Sequence, residues 1–286
     1  MRILLAGGSG VIGSRLIPAL LEHGHDIVAT SRRRDNVRFL EGLGVHGVAV
    51  DAYDSPHLTA VVRDAAPDLI INQLTDLSDF DLEANARLRR AGTANLVAAA
   101  RAAGVDRIIA QSISWAYESG ATVAMESDPL VPDTAVAIME RNLLQMPRAT
   151  ILRYGRFYGP GTWYAEDGRI ANAATAGLLQ ATPAIASFLH IDDAVAATVE
   201  SLGWPDGTYN IVDDESAPAS VWAPVFARGI GAPIPRAVPL PAHEVRGRAV
   251  SNEKARRAGW IPLHPTWRNS FPYAEEIARR SIESQE

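Results

Sequence analysis

The fold of this chain is decided by the stretch Ile3–Gly13, which reads ILLAGGSGVIG. Its apolar residues predict a buried strand, and the glycines that follow recur at every third position before a helix begins. Gly7 permits a tight turn, Gly10 lets a phosphate approach the backbone, and Gly13 lets the helix pack closely on the sheet. The stretch therefore predicts a turn that binds a dinucleotide.

Two groups of residues after this turn suit the phosphates of a dinucleotide. The helix start offers free amides at Val11 and Ile12, together with the positive end of the helix dipole, to the pyrophosphate. The second strand ends at Ser31, Arg32 and Arg33, where an NAD site would carry an acidic residue for the ribose 2′-hydroxyl. Because a guanidinium pairs well with a phosphate, these residues predict NADP(H) rather than NAD(H).

Strands and helices alternate through the first half of the chain. Strands are predicted at Arg2–Ala6, Asp26–Ser31, Val45–Val50, Leu69–Asn72, Arg107–Ser112 and Ala149–Tyr154. Helices are predicted at Gly13–His23, Asn36–Gly42, Pro56–Ala66, Leu82–Ala103 and Thr134–Gln145. Most of these strands are continuously apolar, as in a parallel sheet covered on both faces. The fold class is therefore α/β, with a Rossmann-type, doubly wound parallel sheet.

The composition changes after about residue 158, where Pro, Gly and Trp become frequent and the elements shorten. Further helices are predicted at Asp192–Leu202 and near Pro272–Glu283. We expect an NADP-binding Rossmann domain over residues 1–158. Residues 159–286 should form a small, irregular C-terminal substrate lobe that is interleaved with the core.

The composition of the chain limits its partners. The 286 residues carry a net charge of −6, which gives no basic surface for nucleic acid, and they include no cysteine. No apolar run is long enough to span a bilayer, and no His, Asp or Glu cluster has the spacing of a metal site. We therefore expect a soluble, cytoplasmic protein with a small-molecule substrate, no metal and no membrane partner; a homodimer is also considered. Only one of the 27 basic residues is a lysine, which indicates a GC-rich bacterial genome.

Several further motifs follow the glycine turn in order. They are Asp51-Ala52, Asn72-Gln73-Leu74-Thr75, Gly92-Thr93-Ala94-Asn95-Leu96, Tyr158-Gly159-Pro160-Gly161 and His190-Ile191-Asp192-Asp193. Together they resemble the extended short-chain dehydrogenase/reductase superfamily, of the NAD-dependent epimerase/dehydratase type. The resemblance runs over essentially the whole chain.

The resemblance implies positions for the cofactor. Asp51 and Ala52 follow the third strand beside the adenine, and the loop with Leu74 and Thr75 passes over the cofactor. In this family the segment that follows the sheet usually contacts the nicotinamide. The resemblance therefore implies that Tyr154 and Phe157 also contact the cofactor.

One departure from the family is that its Tyr-x-x-x-Lys motif is missing. The sole lysine of the chain is Lys254, and Val250 stands four residues before it. Aligning Glu140 with the family places Pro132 at the tyrosine and Val136 at the lysine. A valine cannot lower the pKa of a tyrosine as the family's lysine does, and a proline has no proton to give. Any proton for the reaction must therefore come from another group. The chain is thus an atypical member.

Three residues after the fifth strand are candidates for catalysis. Ser112 lies at the strand end and suits a hydrogen bond to a substrate oxygen, although a serine there also satisfies strand termini. Ser114 and Tyr117 follow in the same loop, and Tyr117 carries a phenolic proton. A tyrosine in this region can equally be a packing residue.

The predicted substrate contacts are mostly aromatic. Trp115, Trp163 and Tyr164 would form a wall for an apolar or aromatic substrate, and Arg156 lies in the same segment as Trp163. His190 is either an acid that titrates near neutral pH or a structural residue of its motif.

The function predicted from these residues is an NADP(H)-dependent oxidoreductase that acts on a small substrate, such as a secondary metabolite, with a non-standard proton donor. One alternative is an epimerase, dehydratase or other lyase or isomerase that uses its bound cofactor without net consumption. Another is a sensor that binds NADP(H) without catalysis.

Overall fold

The computed structural model describes residues 1–77, 80–241 and 247–271. The strands are β1 (Arg2–Ala6), β2 (Asp26–Ser31), β3 (His46–Ala49), β4 (Leu69–Asn72), β5 (Arg107–Ile113), β6 (Arg148–Tyr154), β7 (Arg156–Tyr158), β8 (Gln180–Ala181), β9 (Ile185–Ala186), β10 (Phe188–His190), β11 (Gly207–Ile211), β12 (Ala217–Pro218) and β13 (Arg236–Ala237). The helices are α1 (Gly13–Glu22), α2 (Asp35–Gly42), α3 (Ser55–Ala65), α4 (Leu82–Arg87), α5 (Thr93–Ala102), α6 (Ala135–Leu143), α7 (Arg169–Thr175), α8 (Ile191–Glu200), α9 (Ala219–Gly229) and α10 (Glu253–Arg257). The helix predicted near Pro272–Glu283 lies outside the described residues.

Seven strands form the main sheet, in the order β3-β2-β1-β4-β5-β6-β11. The pairings of β1 with β2 and β4, of β2 with β3, and of β4 with β5 are all parallel. The predicted α/β fold with a Rossmann-type sheet is confirmed. Because the strand order reverses between β1 and β4, a ligand is expected at the carboxyl ends of these strands.

The glycine turn is followed by an amphipathic helix whose buried face holds it on the sheet. Leu16, Ile17 and Leu20 of α1 are fully buried. Burying each such side chain contributes about 1.5–3 kcal/mol, which fixes the start of α1 beside the end of β1. Across the described residues, no helix is both long and apolar enough to cross a membrane.

The long helix predicted at Leu82–Ala103 is not continuous. A π-helical turn, Leu88–Gly92, separates α4 from α5. A side chain at position 92 would place its Cβ 2.5 Å from Leu88 Cδ1 and 3.3 Å from Ala52 Cβ, so the Leu88 side chain would have to move. The apolar periodicity of the sequence does not reveal such a turn, since one inserted residue shifts the pattern by a single position. π-Turns inside helices are frequent at functional sites.

The chain forms two compact units, and it passes between them several times. The first unit is made of Met1–Ala116, Pro129–Arg153 and Val195–Tyr209. The second is made of Tyr117–Asp128, Tyr154–Ala194 and the described residues from Asn210 onward. The boundary predicted after residue 158 therefore falls inside the second unit, and a short segment before it also belongs there.

Each unit has its own apolar core. In the first, the core consists of aliphatic residues from the central strands and from the helices that cover them. In the second, it is largely aromatic: Tyr158, Tyr164, Phe188, Trp222, Phe226, Trp267 and Phe271 are all buried and pack together. The aromatic residues after residue 158 thus serve, in large part, to stabilise the second unit.

Candidate cofactor and active site

The glycine turn leaves room for a ligand on one side only. Gly7 has φ of +86°, and a Cβ there would lie 2.7 Å from the carbonyl oxygen of Gln73. A Cβ on Gly13 would lie 2.3 Å from the carbonyl oxygen of Gly7. Gly10 is exposed and is crowded only by that same oxygen, at 3.3 Å. Its open side is where a pyrophosphate can approach the backbone.

The start of α1 has no side-chain cap. Ile12 stands at the cap position and is buried, and Val11 is partly exposed. The amides of Ser14 and Arg15 already donate to the carbonyl oxygens of Gly10 and Ile12, at 2.9 and 3.0 Å. An apolar side chain cannot accept a hydrogen bond, so the amides just before them, at Val11, Ile12 and Gly13, have no side-chain cap. Phosphate binding by Val11 and Ile12 remains a prediction.

Three polar side chains meet at the end of β2. The hydroxyl of Ser9 donates to that of Ser31 over 2.9 Å. The amide nitrogen of Asn36 lies 3.1 Å from Ser9 Oγ and 3.2 Å from Ser31 Oγ. These groups form a small cluster of donors beside the predicted ribose site. Sequence reasoning proposed Ser31 but missed Ser9 and Asn36, because only the fold brings residues 9, 31 and 36 together.

The two predicted arginines differ in their surroundings. Arg32 forms a two-pronged ion pair with Asp76, at 2.8 and 3.1 Å, and this carboxylate raises the pKa of Arg32. Arg33 is 72% exposed at its side chain, and the one carboxylate that it approaches among the described residues is that of Asp35, at 4.0 Å. The guanidinium of Arg33 is therefore far freer to meet a phosphate than that of Arg32.

The helical segment from α4 to α5 fixes the two loops that are predicted to contact the cofactor. Asn95 Nδ2 donates to the carbonyl oxygen of Ala52 over 2.9 Å, and Asn85 Oδ1 accepts from the amide of Asp76 over 3.0 Å. Asp51 Oδ1 accepts from the Tyr53 amide at 2.9 Å. These contacts fix the loops that follow β3 and β4.

In the loop after β4, which carries the predicted cofactor contacts Leu74 and Thr75, two hydrogen bonds from side chains hold the backbone at Leu74. The amide of Leu74 donates to Asn72 Oδ1 at 3.1 Å, and its carbonyl oxygen accepts from Gln111 Nε2 at 3.2 Å. Thr75 is exposed.

Ser112 belongs to a buried polar cluster in the first unit. Its hydroxyl donates to Glu140 Oε1 over 2.6 Å, and Arg153 forms a two-pronged pair with the same carboxylate, at 2.9 and 2.6 Å. All three residues are at most 5% exposed. A buried charge pair of this kind holds β5, α6 and β6 together. The hydroxyl of Ser112 is thus directed at Glu140.

The other two predicted catalytic residues lie in different units. Ser114, in the first unit, is buried, and its hydroxyl has no hydrogen-bond partner among the described residues. Tyr117, in the second unit, donates its phenolic hydrogen to Asn210 Oδ1 over 2.6 Å and is 6% exposed. The backbone amide of Asn210 in turn donates to Glu126. Catalysis by these residues remains a prediction.

Most predicted substrate residues lie in the second unit. Tyr164 packs in its aromatic core, 5.2 Å from Phe188 and 5.7 Å from Trp222 between ring centres, and burial raises the pKa of its phenol. Trp163 is half-buried. Tyr154 is also buried, with its ring 5.4 Å from that of Phe157.

Of the remaining two predicted substrate residues, Trp115 lies in the first unit and is 40% exposed. Arg156, in the second unit, is half-buried and lies beside Tyr164, whose phenol it approaches closely enough to bond. A role in substrate binding remains a prediction for both.

His190 is part of a cluster that spacing in the sequence did not indicate. Its ring stacks on that of His264, with centres 3.6 Å apart and planes at 25°. The buried Asp193 accepts from the amides of Leu263 and His264, at 2.7 and 2.9 Å. The side chains of His190, Asp193 and His264 lie close enough to consider a metal. Nearly parallel rings do not point their nitrogen lone pairs at one ion, which favours a structural role.

Comparison with known proteins gives relatives along the whole chain. The profile of the NAD dependent epimerase/dehydratase family matches residues 3–211. A Streptomyces protein named 3-diazoavenalumate denitrifying reductase is 41% identical over 305 aligned residues, covering 95% of this chain and 99% of that protein. A UDP-glucose 4-epimerase of Mycolicibacterium smegmatis is 27% identical, covering 92% and 94%.

Solved structures share the fold. The Bordetella bronchiseptica enzyme WbmG, in complex with NAD and UDP, superposes with a TM-score of 0.79 at 23% identity, covering 98% of this chain and 96% of that one. A UDP-glucose 4-epimerase of Thermus thermophilus in complex with NAD gives 0.77 at 22% identity, covering 98% and 99%.

These relatives are reductases and epimerases, and both solved structures hold a nicotinamide dinucleotide. The prediction of an enzyme of the oxidoreductase or epimerase kind is confirmed, and the interpretation as a sensor without catalysis is not supported. The glycine turn, the sheet order and the profile match lead to one conclusion: the chain belongs to the NAD-dependent epimerase/dehydratase family.

Proposed function

We propose that this protein is an NADP(H)-dependent reductase that removes a diazo group from a small aromatic substrate as dinitrogen. The observation that carries the proposal is the 41% identity, over nearly the full length of both chains, to a protein named as a denitrifying reductase. The family match supplies the dinucleotide site that such a reaction requires.

The chemistry of this reaction suits a site without the family's usual proton donor. The chemistry that bound NADPH would supply is a hydride: a C–H bond would form at the ring carbon of an aryl diazonium as its C–N bond breaks, giving dinitrogen and NADP⁺. No proton is consumed, because the diazonium is already cationic. Reduction of a carbonyl, by contrast, leaves an alkoxide that needs a general acid.

Three features of the chain agree with a reaction that takes no proton. The sequence contains no Tyr-x-x-x-Lys, because its one lysine, Lys254, follows Val250 by four residues. The hydroxyl of Ser112 donates to Glu140, and that of Tyr117 donates to Asn210. Under this proposal the protein binds and orients the substrate and excludes water, and the cofactor drives the reaction.

The preference for NADP(H) is part of the proposal. Ser9, Ser31 and Asn36 offer hydroxyl and amide donors within 3.2 Å of one another at the end of β2. Arg33 follows Ser31 by two residues, and its guanidinium is exposed. A 2′-phosphate would accept hydrogen bonds from the three side chains and pair with the arginine.

The test is a reaction of the purified protein with NADPH and an aryl diazonium that carries a carboxylate. We expect loss of NADPH absorbance, release of isotope-labelled dinitrogen, and transfer of deuterium from labelled NADPH to the ring carbon, each in equal amount. Dinitrogen release without NADPH oxidation would contradict the proposal. A sugar-nucleotide epimerisation with no net loss of cofactor would favour the epimerase alternative.

A second candidate is reduction of a carbonyl. A Streptomyces kanamyceticus protein named 2′-dehydrokanamycin reductase is 29% identical over 71% of this chain and 58% of that protein. Such a reaction needs a proton, for which Tyr117, or a water held by Ser112, remains the proposed source. Screening ketones in the same NADPH assay separates the two candidates, since a ketone reductase would release no dinitrogen.

A further inference from the structure

The glycine turn lies between the end of β2 and the end of β4, and close contacts join it to both. On one side, the amide of Gly8 donates to the carbonyl oxygen of Thr30 in β2 over 2.9 Å. On the other side, a Cβ at Gly7 would lie 2.7 Å from the carbonyl oxygen of Gln73, the residue that follows β4. The loops after β2 and β4 therefore flank the turn that is predicted to bind the cofactor.

The ion pair between Arg32 and Asp76 connects these two loops. Arg32 directly follows β2, and Asp76 lies four residues after β4. The two guanidinium nitrogens Nη1 and Nη2 donate to the two carboxylate oxygens, at 2.8 and 3.1 Å. The side chain of Asp76 is 15% exposed, and its backbone amide donates to Asn85 Oδ1 at 3.0 Å. The carboxylate is thus held on a fixed backbone and is largely withdrawn from water.

The geometry of this pair is the one by which an arginine binds a phosphate. A guanidinium offers two parallel N–H groups to two oxygens, which belong to a carboxylate or to a phosphate. While Asp76 accepts from both nitrogens, Arg32 cannot present the same pair of donors to a ligand. The carboxylate also neutralises the charge of Arg32. A phosphate must therefore displace Asp76 before it gains the charge-assisted hydrogen bonds of Arg32.

Arg33 is not restrained in this way, since its side chain is 72% exposed and its distance to Asp35 is 4.0 Å. Of the two arginines that follow β2, one is thus available to a 2′-phosphate and the other is held by a carboxylate of the chain itself. NAD(H) carries no 2′-phosphate, so its binding does not require the pair between Arg32 and Asp76 to open.

We infer that Asp76 is a specificity-determining residue for the cofactor: by holding Arg32, it weakens the binding of NADP(H) and leaves that of NAD(H) unchanged. The inference rests on the proposed function for the position of the 2′-phosphate, at the end of β2. The contact of NADP(H) with Arg32 forms in the fraction of molecules in which the pair is open, and this fraction lowers the apparent affinity. Removal of the carboxylate makes Arg32 available in every molecule.

Titration of the purified protein with NADPH and with NADH, followed by cofactor fluorescence, tests the inference. In Asp76→Asn we expect the Kd for NADPH to fall about 3- to 10-fold, as for the release of a two-pronged pair that is partly exposed. The Kd for NADH should equal that of the wild type, which also shows that the site is intact. Asp64→Asn removes the same charge from an exposed position on α3 and should change neither Kd.

A double variant separates the release of Arg32 from a direct effect of the Asp76 charge. In an Arg32→Ser background, Asp76→Asn should no longer lower the Kd for NADPH, because no guanidinium remains there to be released. A fall of equal size in that background would mean that Asp76 repels the phosphate directly, and it would overturn the inference. An unchanged or higher Kd for NADPH in Asp76→Asn, or an equal change for NADH, would overturn it as well.

These binding measurements do not depend on the proposed reaction. A protein that releases no dinitrogen, but in which Asp76→Asn strengthens the binding of NADPH alone, would refute the reaction and support the inference. Tighter binding of NADH than of NADPH by the wild type would refute the proposed preference, and a gain specific to NADPH in Asp76→Asn would still support the inference. Binding of NADPH by neither protein would overturn both.

Discussion

Two serines at the carboxyl ends of parallel strands, Ser31 in β2 and Ser112 in β5, show how differently one residue type can be used. The hydroxyl of Ser31 lies among small donors, with an exposed arginine two residues away. The hydroxyl of Ser112 donates to a buried carboxylate that is also paired with Arg153. Both positions face the edge where a doubly wound sheet binds its ligand. Position on that edge therefore identifies candidates, but the neighbours decide which group is available.

The largest effect is expected when the Ser112 cluster is broken. Arg153→Met leaves the Glu140 carboxylate buried without its cation, so we expect a loss of about 3–5 kcal/mol in the free energy of unfolding. Urea denaturation followed by circular dichroism measures this. Arg90→Met, which breaks the exposed pair with Glu83, is the control and should cost less than about 1 kcal/mol. A loss equally small for Arg153→Met would mean that the cluster contributes little to stability.

Asp213 contrasts with Glu140, because it is a buried carboxylate that has no paired cation among the described residues. Burial raises the pKa of Asp213, and the nearby Asp193 carboxylate raises it further. The folded protein therefore holds this proton more tightly than the unfolded chain does, and stability falls as the pH rises above the unfolded value of about 4.

Asp213→Asn should remove that pH-dependent loss. We expect it to stabilise the protein by about 1–3 kcal/mol near pH 7, with the gain vanishing near pH 4. Thermal melts across this range measure the change. Glu140→Gln should have the opposite sign at pH 7, because there the charge is paired. A loss of stability for both variants at neutral pH would show that Asp213 is ionised and satisfied.

At the Ser31 cluster the effect should appear in cofactor binding. Arg33→Ser should raise the Kd for NADPH about 10-fold and leave the Kd for NADH nearly unchanged, since only NADPH carries the 2′-phosphate. Fluorescence titration of both cofactors gives the ratio. Arg63→Ser, an exposed arginine on α3, is matched in charge and should change neither Kd. An effect of equal size on NADH would place Arg33 elsewhere on the cofactor.

The smallest effect is expected at Tyr117. If the reaction consumes no proton, Tyr117→Phe should keep kcat for the diazonium substrate within about 3-fold of wild type, while the lost bond to Asn210 costs about 1 kcal/mol of stability. Steady-state kinetics and melting curves separate the two. A drop in kcat of about 10²-fold or more would instead support the predicted role of Tyr117 as general acid.

The fold was predictable because its signals are local. Gly7 has a left-handed φ of +86°, and Gly13 is required by steric contacts with Gly7 and Gly8 within the turn itself. The apolar runs of the strands need only a sheet with two covered faces. The π-turn Leu88–Gly92 was not predictable, because its one inserted residue shifts the apolar pattern by a single position. Ser9, Asn36 and Asp76 were missed as site residues because nothing in their neighbours along the chain marks them.

By itself, the sequence determined the class of fold, the dinucleotide turn, the family and the absence of a Tyr-x-x-x-Lys motif. The tertiary structure alone decided which polar groups are available: it paired Arg32 with Asp76, left Arg33 exposed and directed Ser112 to Glu140. The reason is physical. Backbone sterics and apolar periodicity act over a few residues, whereas the availability of a charge or hydroxyl depends on burial and on partners that lie up to dozens of residues away.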